Sequence, residues 1–130
     1  MLLVLTKLNT SSIHGIGIFA DQFIKKGDKI WEFTPGFDQY YSKDLIDNLP
    51  GPARNQILKY AYCHITKKDT YVLVADDARF FNHSDNPNCK DINFELLEDS
   101  AYTIAARDID KGEELTVDYN LFDAYGTLWG

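Results

Sequence analysis

Hydrophobic and polar positions alternate in short runs through the first third of the chain, and turn signals divide those runs. Leu2 to Leu8, Ile16 to Ala20 and Lys29 to Phe33 read as strands, with Lys26-Gly27-Asp28 as a hairpin-like turn ahead of the third. Helical period is nearly absent until Ser42, which is suited to cap a short segment through Leu49. Pro52 suits the first residue of a helix carrying Ala53, Ile57 and Ala61 on one side. Strand texture returns at Tyr71-Val72-Leu73-Val74, and a polar loop rich in Asn, Asp and Pro is expected from Asn82 to Asn93. Beyond it, Phe94 to Leu97 and Tyr102 to Ala106 read as strands joined through Glu98-Asp99-Ser100, and Asp110-Lys111-Gly112 turns into a last strand, Glu114 to Val117. The pattern predicts a mainly β domain with a short helical insert.

Composition narrows this picture. A chain of 130 residues with 45% apolar content is long enough for one real core and too short for two ordinary domains. No internal repeat, low-complexity stretch or linker composition interrupts it, so residues 1–130 are expected to form one domain with the helical insert at about 42–62. The opening apolar run, Met1 to Leu5, is broken by Thr6 and Lys7, short of a signal-peptide core or a membrane span. A soluble intracellular protein is expected, cytoplasmic in a bacterium and nuclear if its partner is chromatin. Cys63 and Cys89 are too few for a disulfide framework and lack paired zinc-type spacing, so idle thiols are the expectation. A net charge of -7, from 20 acidic against 13 basic residues, works against neutralising many phosphates and so against direct nucleic-acid binding. The same charge attracts a basic partner, although it also serves plain solubility.

Three segments carry candidate chemistry: His14-Gly15-Ile16-Gly17-Ile18-Phe19-Ala20, Arg79-Phe80-Phe81-Asn82-His83-Ser84-Asp85-Asn86-Pro87-Asn88-Cys89, and Gly112-Glu113-Glu114-Leu115-Thr116-Val117-Asp118-Tyr119. Each has an ordinary reading when taken alone. Gly15 and Gly17 lack the third glycine and the helix of a dinucleotide fingerprint, so a turn or bulge suffices, while glycines also let a ligand approach the backbone closely. Asn82 and His83 in a loop can satisfy buried backbone groups. A metal set from His83, Asp85 and Cys89 lacks a fourth ligand, and a hydrolase using His83 with Ser84 or Cys89 is weak because neighbouring side chains diverge in extended backbone. A tyrosine at a strand end is ordinarily core.

Taken together, in this order and at these separations, the segments resemble the SET-domain family of protein lysine methyltransferases, and the match from Arg79 to Cys89 is long and specific. The resemblance covers nearly the whole chain and is closest to short, stand-alone members of bacterial and viral type. It implies small curved sheets in a β-clip arrangement, with a C-terminal pseudoknot that brings Asn82-His83 against Tyr119. It also implies S-adenosylmethionine as co-substrate, held by Gly15, Ile16, Gly17, Arg79, Asn82 and His83. Tyr119 is placed where the methyl group crosses, and Phe33, Thr34, Phe81, Val117 and Phe122 along the lysine channel. The implied substrate is a basic, lysine-containing protein, with histones and ribosomal proteins among the candidates, and the oligomeric state stays open.

The chemistry suits those residue types. Methyl transfer from a sulfonium is an in-line displacement, so alignment is the main contribution a protein can make. The lysine must be neutral, and an apolar channel beside a positive sulfonium lowers its pKa from the ordinary value near 10.4. A phenol is a poor base at neutral pH, so Tyr119 is assigned orientation and electrostatics. Val117 stands where many members have Phe or Tyr, which leaves product multiplicity open. Asp85 replaces a common Cys and no Cys-rich tail follows Tyr119, so no structural metal is expected, and Phe122, Tyr125 and Trp129 become candidates to close the site. Thr34 stands where a channel tyrosine is common. That departure and the missing metal-bound tail motivate a rival reading: a catalytically weak or inactive module that binds a peptide or partner protein.

Overall fold

Ile16 to Ala20 forms its strand because alternate apolar residues find a core: Ile18 and Ala20 are fully buried. In the computed structural model, which describes residues 1–96 and 100–123, β1 (Thr6–Thr10) pairs antiparallel with β2 (Ile16–Ala20). The first expected strand therefore begins later than the apolar run, and Leu2 forms only an isolated bridge to Trp31. β3 (Lys29–Glu32) and β4 (Gln39–Ser42) follow, then α1 (Lys43–Asp47) and α2 (Gly51–Tyr60). Next come β5 (Tyr62–Cys63), β6 (Thr70–Leu73), a 3-10 turn at Asp77–Phe80 and β7 (Asn82–His83). β8 (Cys89–Ile92), β9 (Tyr102–Ala105), β10 (Thr116–Val117) and a 3-10 turn at Tyr119–Leu121 complete the described elements.

The described strands form four small sheets, with orders β1-β2, β10-β7, β3-β9-β8 and β4-β6-β5. This is the mainly β, curved-sheet architecture expected. Between them lies a core containing Ile18, Ile24, Ile30, Ile109 and Leu115, each at 1% exposure or less. Each such side chain contributes about 1.5–3 kcal/mol by leaving water. Gly27 (φ 91°) and Gly112 (φ 97°) occupy the left-handed conformation at the turns ahead of β3 and β10, where a side chain would be strained.

Ser42 caps α1 as expected, its hydroxyl accepting the Leu45 N–H at 3.1 Å. Helix α2 departs from expectation. Pro52 is its second residue, no residue of the helix is buried, and Ala61 lies just past its end as a fully buried cap. Its packing therefore contributes little burial, and its job is to place Lys59 and Tyr60 at its last turn.

The polar stretch 82–93 is the larger correction. Half of it is strand: β7 pairs parallel with β10, and β8 pairs antiparallel with β9. Residues 94–96 form a turn where a strand was expected, and Leu97, Glu98 and Asp99 lie outside the described residues. Phe94 packs instead as a ring in the core, 5.5 Å from Phe122.

Buried Asn88 explains how a polar stretch becomes interior. Its amide Nδ2 donates to the Glu114 carbonyl at 2.8 Å, and its Oδ1 accepts the Thr116 N–H at 2.9 Å. Its own N–H donates to Thr116 Oγ1 at 3.2 Å. One side chain thus stands in for a strand partner and fixes the C-terminal segment beneath the loop. Asn88→Ala leaves the Thr116 N–H and the Glu114 carbonyl buried without those partners, so a loss of about 2–4 kcal/mol is expected in urea unfolding.

Candidate active site

The three remote segments meet at one cleft of about 290 Å³. It is lined by Gly15 and Ile16, by Arg79, Phe80 and Asn82, and by Tyr119, while Lys59 and Tyr60 arrive from α2. Asn82 ties the first two together: its Nδ2 lies 3.1 Å from the His14 carbonyl and 3.3 Å from that of Ile16. It also donates to Glu114 Oε2 at 2.8 Å. Glu114 in turn accepts the Ser11 hydroxyl at 2.8 Å. Glu114 is thus a hub that joins the glycine loop, Asn82 and the segment leading to Tyr119. Gly17 lies against that hub rather than in the cleft: a Cβ there would stand 2.4 Å from Glu114 Oε2.

Tyr119 lines this cleft and touches two residues of a second, inner pocket, Phe81 and Phe122. Its hydroxyl donates to the Phe81 carbonyl, and its ring packs edge-on to Phe122, 5.3 Å between centroids. Its backbone N–H donates to His83 Nδ1 at 3.0 Å, which leaves the proton of a neutral His83 ring on Nε2, 2.9 Å from Asp85 Oδ1. His83 therefore positions Tyr119 from behind and does not line the cleft. Arg79 donates to the Val74 carbonyl at 2.9 Å and lies 5.0 Å over the Tyr60 ring, so Arg79 and Tyr60 form a wall common to both cavities.

The inner pocket, about 40 Å³, is lined on most sides by apolar side chains including Tyr62, Phe81, Phe94, Val117 and Phe122. Its polar end is Asp91, whose Oδ1 accepts the Thr103 hydroxyl at 2.7 Å. The residue as a whole is only partly buried, yet loss of water from its carboxyl pushes the pKa up to about 7, against the downward pull of Thr103.

Of the sequence candidates, Gly15, Ile16, Arg79, Asn82 and Tyr119 thus share the cleft, and Phe81, Val117 and Phe122 share the inner pocket. Phe33 and Thr34 line neither. Phe33 stacks on Tyr40 in the core, and Thr34 turns its hydroxyl to the Glu32 carbonyl at 3.2 Å. With Thr34 outside both cavities, one of the two observations that motivated an inactive module loses its force. Tyr125 and Trp129 lie outside the described residues. Sequence reasoning missed Glu114 and Asp91 because a carboxylate near a turn reads as surface, and Tyr60 because α2 reads as an insert. The spacing Glu114 to Tyr119, within a segment already singled out, was the one available signal.

The hydrolase alternative loses its nucleophiles. Burial pushes the Cys89 thiol up to about 12, and its Sγ lies 3.4 Å from Asn88 Oδ1. The Ser84 hydroxyl accepts the Asn86 N–H at 3.1 Å.

The profile of the SET domain matches residues 15–120, and the chain belongs to that family. It is 31% identical over 122 residues to a histone-lysine N-methyltransferase, H3 lysine-36 specific, of Debaryomyces hansenii, covering 89% of this chain and 16% of that protein. A protein of the same description from Candida albicans is 30% identical over 129 residues, covering 92% and 14%. The chain thus spans less than a fifth of the length of these relatives. Among solved structures, a candidate histone methyltransferase of Plasmodium falciparum has a TM-score of 0.62 at 22% identity, over 91% of this chain and 95% of that one. A Chaetomium thermophilum Polycomb Repressive Complex 2 chain, in an autoinhibited conformation bound to S-adenosylmethionine, has a TM-score of 0.68 at 21% identity, over 95% and 16%. These structural likenesses establish the fold.

Two outcomes follow from the packing. Gly17→Ala forces Glu114 aside and is expected to lower stability by about 1–3 kcal/mol in urea unfolding. Asp91 gives a pH signature with a definite sign. Between pH 3.8 and about 7 the folded protein keeps a proton that the unfolded chain has released, so its stabilising effect is complete below that window and is lost as pH rises through 7. Asp91→Asn is therefore expected to match the parent near pH 4 and exceed it by about 2–4 kcal/mol near pH 8, read from thermal melts across pH.

Proposed function

We propose that this chain transfers a methyl group from S-adenosylmethionine to the side-chain amine of a protein lysine. The observation that carries the reading is Tyr119 itself, which lines the open cleft while its hydroxyl is held on the carbonyl of Phe81, a residue of the apolar pocket, an arrangement that makes it the proposed partition between them. A methyl donor on one side and an amine on the other meet at such a partition.

The cleft has the chemistry for that co-substrate. Lys59 and Arg79 suit a carboxylate, Tyr60 and Phe80 offer ring faces, and the bend at Gly15 (φ 45°) brings backbone to the rim without a side chain. Asn82 spends its N–H groups on the glycine loop and Glu114, which leaves its Oδ1 to accept an N–H from a ligand. When bound, S-adenosylmethionine supplies the electrophilic methyl group. The chain's own residues do the rest by alignment. His83 holds the Tyr119 backbone, the Phe81 carbonyl holds its hydroxyl, and these fix one phenol oxygen at the crossing point. Phe81, Val117 and Phe122 exclude water from the amine and so favour its neutral form.

The substrate is proposed to be a lysine-rich basic protein. The net charge of -7 favours such an encounter, and the named activities of the fungal relatives make a histone the first choice, ahead of a ribosomal protein. No structural metal is proposed, since the buried Cys89 stays a neutral thiol.

Purified protein is expected to move labelled methyl from S-adenosylmethionine into core histones or another protein of a basic panel, with modified lysine identified by mass spectrometry. Tyr119→Phe is expected to keep cofactor affinity, measured calorimetrically, and to lower turnover by about 10²–10³-fold. Absence of incorporation across the panel, or full turnover by Tyr119→Phe, would overturn the assignment.

A further inference from the structure

The inner pocket ends on a row of polar groups that an apolar lysine channel does not require. Trp31, Thr103 and Asp91 are register neighbours across β3, β9 and β8, and all three line the pocket. The Thr103 hydroxyl supplies the one hydrogen bond that the Asp91 carboxyl receives among the described residues, at Oδ1, which leaves Oδ2 as an unused acceptor. In the same pocket lining, the buried Trp31 indole N–H has no hydrogen-bond partner among the described residues. Under-satisfied polar groups in an apolar enclosure are costly and persist where a ligand completes them. A water molecule needs roughly 10–15 Å³ on the same measure of volume. The pocket's 40 Å³ therefore admits an amine with its last methylenes, held close to this row.

Resting on the reading above that a lysine amine enters here, we propose that Asp91 is the receiving group: Oδ2 accepts an N–H of the incoming ammonium and then takes its proton. In that step an N–H bond of the ammonium breaks, its electron pair stays on nitrogen, and an O–H bond forms at Asp91. The neutral amine then forms its N–C bond as the C–S bond of the sulfonium donor breaks, with that electron pair leaving on sulfur. The product is a methylated ammonium beside a carboxylic acid, and Asp91 releases its proton to water when the pocket empties.

The surroundings tune this carboxyl for the task. Burial and the Asp118 carboxylate raise its pKa, and Thr103 restrains the rise, which leaves it near 7. Tyr62 and Cys89, which feel its charge, are themselves pushed up by burial and stay neutral, and Arg79 and Tyr60 line the same pocket. An ordinary aspartate, with a pKa near 3.9, is too weak a base to hold an amine's proton, whereas one near neutrality matches the working pH.

Asp91→Asn keeps the shape and the Thr103 partner but cannot take a proton. With core histones as substrate, kcat/KM of the parent is expected to rise through about pH 7 and then level. Asp91→Asn is expected to fall by about 10²-fold or more and to climb with pH toward the lysine's own value near 10.4. Thr103→Val, which removes the restraining hydrogen bond, is expected to move the parent's inflection upward, a change that a merely structural Asp91 would not produce. A second arm needs neither cofactor nor turnover: the Asp91 carboxyl carbon, followed by carbon-13 NMR in the parent protein, is expected to titrate near pH 7 and to drop in pKa when n-butylamine is added, but not with 1-butanol. If the parent transfers no methyl group, the proposed function fails while this arm still decides for Asp91. A carboxyl that ignores n-butylamine, or an Asp91→Asn protein with the parent's rate and inflection, overturns the proposal.

Discussion

The structure depends on holding a C-terminal segment underneath a loop that precedes it by some thirty residues, with only two residues of parallel strand to do so. Two register pairs, Thr116 with Asn82 and Val117 with His83, are too few to fix a segment unaided. Asn88 supplies the remainder: its Oδ1 accepts the Thr116 N–H of β10, and its Nδ2 donates to the Glu114 carbonyl two residues before that strand. The consequence runs directly to the chemistry. With Thr116 and Val117 fixed, His83 reaches the backbone of Tyr119, and the Tyr119 hydroxyl reaches the carbonyl of Phe81. Fold and site are therefore not separable here, because the same few hydrogen bonds define both.

Glu114 extends this arrangement to the other end of the cleft. Its carboxylate gathers Ser11 and Asn82, and Asn82 gathers the carbonyls of His14 and Ile16. A carboxylate can do this because it accepts several hydrogen bonds at once, which neutral acceptors do less well. Gly17 owes its identity to the same contact, since only a residue without a Cβ lets the strand pass Glu114. The glycines that read as a cofactor motif thus have two different duties: Gly15 lies at the cleft and Gly17 behind it.

How far the sequence could be read follows from these duties. β2, β3, β6 and β9 were legible because alternating apolar residues in them meet a core, and the capping of α1 was legible because Ser42 acts locally. β7 and β8 were hidden because their partners are distant and their side chains polar: Asn82, His83 and Asp91 look like loop residues until Thr116 and Thr103 are placed opposite. For the site, residue types in a fixed order pointed to Tyr119, Asn82 and Arg79, all of which line the cleft. Thr34 and Phe33 line neither cavity, for a geometric reason. After β3 the chain turns inward at Phe33, which stacks on Tyr40, and Asp38 accepts the Thr34 N–H at 2.9 Å, drawing that residue away from both cavities.

Charge gives the two cavities a direction. The protein as a whole carries -7, yet Lys59 and Arg79 line the open cleft, whereas the inner pocket adds Asp91 to the shared Arg79. On the proposed reading, the two cations of the cleft suit an anionic carboxylate and Asp91 suits an amine. Arg79 faces both cavities but turns one of its nitrogens to the Val74 carbonyl and its plane to the Tyr60 ring, which holds the cation in the wall between them. The proposed partition at Tyr119 adjoins the inner pocket through Phe81, and a phenol oxygen bound to a carbonyl can lie there without carrying charge itself. That neutrality matters for alignment: an ionised group at the crossing point would bind one reactant in preference to the other, whereas a fixed dipole orients both.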